Sequence, residues 1–218
     1  MAGSITKLVY QKRNTQRVNI YLDDVYAFAL PDADAAQLKV GQHLSDAEIA
    51  ELQQVDAEAK AFDRALRFLG SRPRSSHEVE TRLKQADYTA GTRAKVLERL
   101  QRLNYIDDRA FAAWWVDNRS RFNPRSSRAL QQELRQKGIS NALAEQALAG
   151  LDDDELALAA GRKRADRWRH LPRETYDKKM LGFLQRRGFN YYSARNAANQ
   201  LWKEFDEDSE SAADSAFQ

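Results

Sequence analysis

The chain has 218 residues, 35 Lys and Arg against 32 Asp and Glu, and no cysteine, which excludes disulfides and thiolate chemistry and fits a reducing compartment. No apolar run approaches the roughly 20 residues that a membrane-spanning helix needs, and Met1-Ala2-Gly3-Ser4-Ile5 lacks the charged and apolar regions of a secretory signal. The expectation is a soluble, cytoplasmic protein of one or two domains.

The modest net charge of +3 hides an asymmetry. Residues 1–60 hold 6 Lys and Arg against 9 Asp and Glu, whereas residues 61–205 hold 29 against 18. Residues 206–218 hold no cation and 5 acids. The basic centre favours a nucleic acid or an acidic protein groove as partner, although charge alone also fits a solvated helical surface.

Three strands open the chain. Ile5–Tyr10 alternates imperfectly, Arg17–Leu22 alternates cleanly, and Val25–Leu30 follows Asp23-Asp24. Their β-branched and aromatic content, with the breaks between them, predicts a small three-stranded meander that must pack on helices. Ser45-Asp46-Ala47-Glu48 carries a capping-box pattern, so a helix is expected from there through Ile49 and Leu52 to about Leu69, with Gly70 as its stop.

A segment then recurs. Pro73-Arg74-Ser75-Ser76 returns as Pro124-Arg125-Ser126-Ser127 and, weakly, as Pro172-Arg173-Glu174-Thr175. Leu83, Leu134 and Leu184 follow, then Asp87-Tyr88, Gly138-Ile139 and Gly188-Phe189, then Leu100, Leu151 and Leu201. This is one supersecondary unit built three times. Each copy reads as three helices: about 58–70, 75–87 and 91–104, then 107–121, 125–137 and 141–150, then 153–169, 173–187 and 191–205. Pro124 and Pro172 fall where helices start, and Gly138 and Gly188 suit turns between helices. The expected fold is mainly α, with three tandem three-helix, helix-turn-helix-like repeats in an elongated curved array behind the β-meander. The segments are 1–44 for the meander, 45–106 for the linking helix and first repeat, 107–152 and 153–205 for the others, and 206–218 for a disordered acidic tail. The meander is expected to cap the stack or to be a second contact site.

Enzymatic chemistry has little to stand on. His43, His77 and His170 lack metal-ligand spacing, and Asp152-Asp153-Asp154-Glu155 reads better as a helix cap than as a metal site. Neither a phosphate-binding glycine loop nor a nucleophile motif is present. No catalytic residue, cofactor or metal is therefore expected.

The basic clusters are the candidate contacts. They comprise Arg72, Arg74, Arg82 and Lys84 in the first copy, Arg125, Arg128, Arg135 and Lys137 in the second, and Arg186 and Arg187 in the third. Arg162, Lys163, Arg164 and Arg167 form the densest run. Cations at helix C-termini also offset the macrodipole, which accounts for Lys137 and Arg187 but not for Arg74, Arg125 and Arg173. Arginines beside Trp168 suit phosphate and base stacking, and equally a core tryptophan with solvated flanks. Of the adjacent Trp114 and Trp115, one is expected in the core and one partly exposed. Tyr191, Tyr192 and Trp202 read as core.

These residues resemble the RecX family of bacterial RecA regulators over about residues 60–205. Phe183-Leu184-Gln185-Arg186-Arg187-Gly188-Phe189-Asn190-Tyr191 is similar to the family's C-terminal signature. Leu134-Arg135-Gln136-Lys137-Gly138-Ile139 resembles its central segment, and Tyr105-Ile106-Asp107-Asp108-Arg109-Ala110-Phe111-Ala112 its junction between repeats. Arg74-Ser75-Ser76-His77-Glu78-Val79-Glu80 is similar to its first pattern, departing at Ser76-His77, where the family often has Ser-Glu. The strand-forming N-terminus resembles an extension of longer members. The resemblance implies three tandem three-helix units, no enzymatic activity, and binding in the groove of the RecA–DNA filament. Filament growth, recombination, RecA's ATP turnover and SOS-repressor cleavage would then fall. A monomer is expected. Direct binding of single-stranded DNA is the alternative.

Overall fold

The computed structural model describes residues 2–215. The chain divides into two compact units, Met1–Ile106 and Asp107–Gln218.

The first unit begins with β1 (Gly3–Tyr10), β2 (Arg17–Leu22) and β3 (Val25–Pro31), followed by a short helix α1 (Asp32–Ala35) and β4 (His43–Leu44). The antiparallel sheet has the order β3-β2-β1-β4. The expected meander is therefore four-stranded: β4 adds only the pairs Gly3 with Leu44 and Ser4 with His43. Two residues are too few to leave a period-2 signal. Asp23 and Asp24 turn β2 into β3 with φ of 49° and 64°, both in the left-handed region that a two-residue hairpin of the right twist demands. Alternation along β2 buries Val18, Ile20 and Leu22 on one face.

Helix α2 (Asp46–Leu69) covers that face. It starts as its sequence predicts: the Ser45 hydroxyl accepts from the Glu48 N–H (3.3 Å), and the Glu48 carboxylate accepts from the Ser45 N–H (2.8 Å). Its first half puts Ile49 and Leu52 into the sheet's core. Its second half puts Ala61, Phe62 and Ala65 into the core of the first three-helix unit. The linking helix and the first helix of that unit are thus one element. Helices α3 (Ser76–Lys84) and α4 (Ala90–Arg102) complete the unit.

In the second unit, α5 (Asp108–Phe122), α6 (Ser127–Gln136) and α7 (Asn141–Leu148) form one three-helix core, and α8 (Asp153–Trp168), α9 (Arg173–Arg186) and α10 (Tyr191–Ser215) form the next. Asp107 caps α5 and Asp152 caps α8. The acidic run at 152–155 thus serves a helix N-terminus.

One local device is built three times. Asp87, Gly138 and Gly188 have φ of 60°, 76° and 92°. The N–H of each following residue reaches back to the carbonyl of the repeat leucine: Tyr88 to Leu83 (3.4 Å), Ile139 to Leu134 (3.0 Å) and Phe189 to Leu184 (3.3 Å). These are Schellman caps, and the apolar residue after the turn meets the leucine it bonds. All three leucines are fully buried, worth about 2 kcal/mol each in transfer from water.

Three expectations are corrected. Pro124 lies two residues before the N-cap Ser126, and Pro172 is itself the N-cap of α9, so neither occupies the first helical position. Trp114 and Trp115 are both half-buried, because Phe111 stacks against each (5.9 and 5.8 Å between centroids) and shares the cover between them. Helix α10 continues to Ser215, past the Asp206 at which a disordered tail was expected. With neither Gly nor Pro over 206–215, extension of an existing helix needs no new nucleus. Residues 216–218 of that tail lie outside the described residues.

Candidate functional site

Several basic candidates turn inward. At the entry to α3, Arg72 Nη2 donates to Glu78 Oε1 (2.7 Å), and Arg72 Nη1 donates to the Pro73 carbonyl (2.7 Å). Arg74 lies over the Phe68 ring at 4.1 Å and donates to Ser71 Oγ (3.0 Å). Burial lowers the Arg74 pKa, Arg72 beside it lowers it further, and Glu78 opposes. These two arginines clamp the start of a helix. On the same helix Arg82 and Lys84 are exposed.

In the next unit Glu133 gathers the charge. Its carboxylate accepts from Trp115 Nε1 (2.8 Å) and Arg119 Nε (2.8 Å), and Arg125 Nε lies 3.2 Å away. Lys137 Nζ sits 5.0 Å from the centre of the Trp115 ring. Arg125 and Lys137 are thereby held within the protein, whereas Arg128 and Arg135 are exposed on α6.

The third cluster is the one that the fold assembles. Arg162 leaves it, donating to Glu204 (3.1 Å). Lys163, Arg164 and Arg167 on α8 meet Arg187, Arg121 and Phe122 around an open cleft of about 370 Å³. Phe183 floors it, with Arg187 at 4.6 Å and Arg164 at 5.3 Å from its ring centre. No carboxylate lines it. Arg187 also joins the two three-helix cores. Its Nη1 donates to Asn123 Oδ1 (2.6 Å) and the Pro124 carbonyl (2.8 Å), while its own carbonyl accepts from the Ser126 N–H (3.2 Å). Ser127 adds N–H and hydroxyl bonds to Asp153 (2.7 and 2.8 Å). Burial lowers the Arg187 pKa, and Arg125 and Arg164 lower it further. Arg186, next in the chain, is exposed.

Arg121 and Phe122 escaped the sequence reading; the available signal was their place just before Asn123-Pro124, at the repeat boundary. Tyr191 and Tyr192, read as core, are instead 55% and 79% exposed. They occupy the first turn of α10, where Ser193 and Ala194 take the inward positions. Trp202 is half-buried against Tyr176. Among the described residues no group of three or more His, Asp or Glu is placed to hold a metal ion, and no helix is long and apolar enough to cross a membrane.

The family comparisons follow the same divisions. Residues 3–45 match the regulatory protein RecX N-terminal domain. Residues 61–100, 107–148 and 152–197 match the first, second and third RecX three-helix domains. The regulatory protein RecX of Bacillus subtilis (strain 168) is 37% identical over 215 residues, covering 96% of this chain and 81% of the relative. That of Bacillus pumilus (strain SAFR-032) is 32% identical over the same shares. A crystal structure of regulatory protein RecX is similar with a TM-score of 0.68 at 29% identity, over 93% of this chain and 99% of the other. A second, of RecX from Lactobacillus salivarius, gives 0.57 at 25% identity over 67% of this chain and 97% of the other. With matches to the N-terminal domain and to each of the three three-helix domains, and relatives matched along nearly its whole length, the chain belongs to the RecX family of regulatory proteins.

Proposed function

We propose that this chain is a non-enzymatic modulator of RecA that binds in the helical groove of the RecA–DNA filament and limits its growth. Recombination, ATP hydrolysis by RecA and RecA-stimulated cleavage of the SOS repressor then fall together. The observation that carries this reading is the match to RecX along the N-terminal domain and all three three-helix domains.

Exposed cations support it. Lys84 and Arg135 each follow a buried repeat leucine directly, and Arg186 stands one place further on in the third copy. A filament groove presents the same protomer surface repeatedly. A monomer that repeats its own unit meets that surface at several points, and individually modest contacts multiply through effective concentration. Such contacts weaken with salt, because exposed charges are screened beyond about 8 Å at physiological ionic strength.

The test is RecA's ATP hydrolysis on single-stranded DNA with this protein titrated in. A fall in rate well below one molecule per RecA protomer is expected. An unchanged rate at excess, with RecA from the same organism, removes the reading.

A further inference from the structure

We infer that the cleft between the second and third three-helix cores is a nucleotide site, holding phosphate between Lys163, Arg167 and Arg187 with a base against Phe122. The inference does not rest on the RecA reading, since its binding is measured with no RecA present.

Charge gives the first argument. The lining holds cations from α5, α8 and the end of α9, and no carboxylate. Among the described residues Lys163, Arg164 and Arg167 are in no ion pair, whereas their neighbour Arg162 is paired with Glu204. Lys163 and Arg167 stand one helical turn apart, about 5–6 Å between Cβ atoms, and like charges at that spacing destabilise a helix. A bound anion relieves that repulsion, and it does the same for Arg187, which is already pressed by Arg125 and Arg164.

Shape and ring chemistry decide which anion. Phe122 is 79% exposed at the cleft's rim. A ring left in water among guanidinium groups suits a flat, electron-rich partner, and bases stack on such rings whatever their sequence. An acidic peptide would use the cations and leave the ring idle. The site is also preformed. Arg187, Ser126 and Ser127 fix the two cores to each other through Asn123, Pro124 and Asp153, so little ordering opposes binding. A free nucleotide and a single strand present the same chemistry.

The experiment uses the whole chain and fluorescence anisotropy of a labelled oligothymidylate of about 12 nucleotides, with ATP and poly-glutamate as competitors. The double variant Lys163→Glu/Arg167→Glu changes two exposed side chains and should keep the melting temperature. Its affinity for the oligonucleotide is expected to fall at least tenfold, and the slope of log affinity against log salt to drop by about 1.4, for two phosphate contacts. Phe122→Ala should cost about fivefold or more, the loss of one stacked base, and Lys39→Glu, an exposed cation outside the cleft, should cost nothing. ATP displacing the strand from the wild type but not from the double variant supports the site with free nucleotide as its source. Displacement by unlabelled strand alone supports it with a nucleic acid as source. No binding of either probe, equal binding by the double variant, or poly-glutamate competing as well as the strand while Phe122→Ala has no effect, each overturns the inference.

Discussion

Gly188 leaves no room for a methyl group beside Ser126. A Cβ at Gly188 would lie 2.6 Å from Ser126 Oγ and 2.8 Å from Ala129 Cβ. The same residue has φ of 92°, so an L side chain there is strained as well as crowded. The glycine closes a helix and at the same time seats one three-helix core on the next. Gly188→Ala should therefore destabilise the chain by about 2–4 kcal/mol, from backbone strain and overpacking together. A lowered melting temperature checks this. An unchanged one would mean that the two cores part freely.

Arg17 and Asp56 form a buried ion pair in the first unit, with side chains 13% and 10% exposed. Arg17 also donates to the Ala29 carbonyl (3.2 Å), and Lys60 Nζ approaches Asp56 at 2.6 Å. Arg17→Ala leaves a buried carboxylate with only the half-exposed lysine, and should cost about 3–5 kcal/mol. Replacing both partners by apolar residues, as in Arg17→Met/Asp56→Leu, should recover most of that loss. Denaturant midpoints of the single and double variants measure the difference.

Tyr176 is fully buried, and among the described residues its hydroxyl has no hydrogen-bond partner. Burial first, opposed by Arg173 and assisted by Asp177 and Glu204, pushes its pKa up to about 12. The unfolded phenol titrates near 10. Between those values the unfolded chain loses the proton while the folded chain keeps it. Stability from this group is therefore complete below about pH 10 and declines as pH rises to about 12, by about 2–3 kcal/mol in all. Tyr176→Phe should remove that alkaline decline and leave stability at pH 7 unchanged or raised by about 1 kcal/mol. Thermal melts of the two proteins across pH 9–12 give the comparison.

Arg186 and Arg187 are adjacent, yet one is exposed and the other is bonded to Asn123 and Pro124. If the chain limits RecA filaments as proposed, Arg186→Glu should weaken that inhibition at unchanged melting temperature. Arg187→Glu should lower the melting temperature by several degrees, because it removes two charge-assisted bonds and buries a carboxylate. Measuring both properties on both variants separates a contact from a brace.

The repeat was legible because its signals are local. Leu83, Leu134 and Leu184 with their following turns, and Ser45 with Glu48, lie within a few residues of their partners, and propensity and capping act at that range. What escaped depends on residues far apart in the chain. Arg187 reads as a helix-end cation until Asn123 is placed beside it, 64 positions away. Arg162 reads as part of the unpaired basic run until Glu204 is placed beside it, 42 positions away. Tyr191 and Tyr192 read as core because large aromatics usually are, but which turn of α10 faces inward is set by the helices packed on it. The strand β4 escaped for a different reason, as two residues carry no period.

Helix α2 carries one further consequence. Ile49 and Leu52 belong to the sheet, and Ala61 and Phe62 belong to the first three-helix core, yet neither glycine nor proline interrupts the 24 residues they share. The two layers are mounted on a common axle. Force or binding strain on the strands is passed as torque into the helical unit, with no hinge to absorb it. A deletion that trims the strands alone also strips the cover from one end of that shaft, so the sheet is lost or kept only together with the half-helix beneath it.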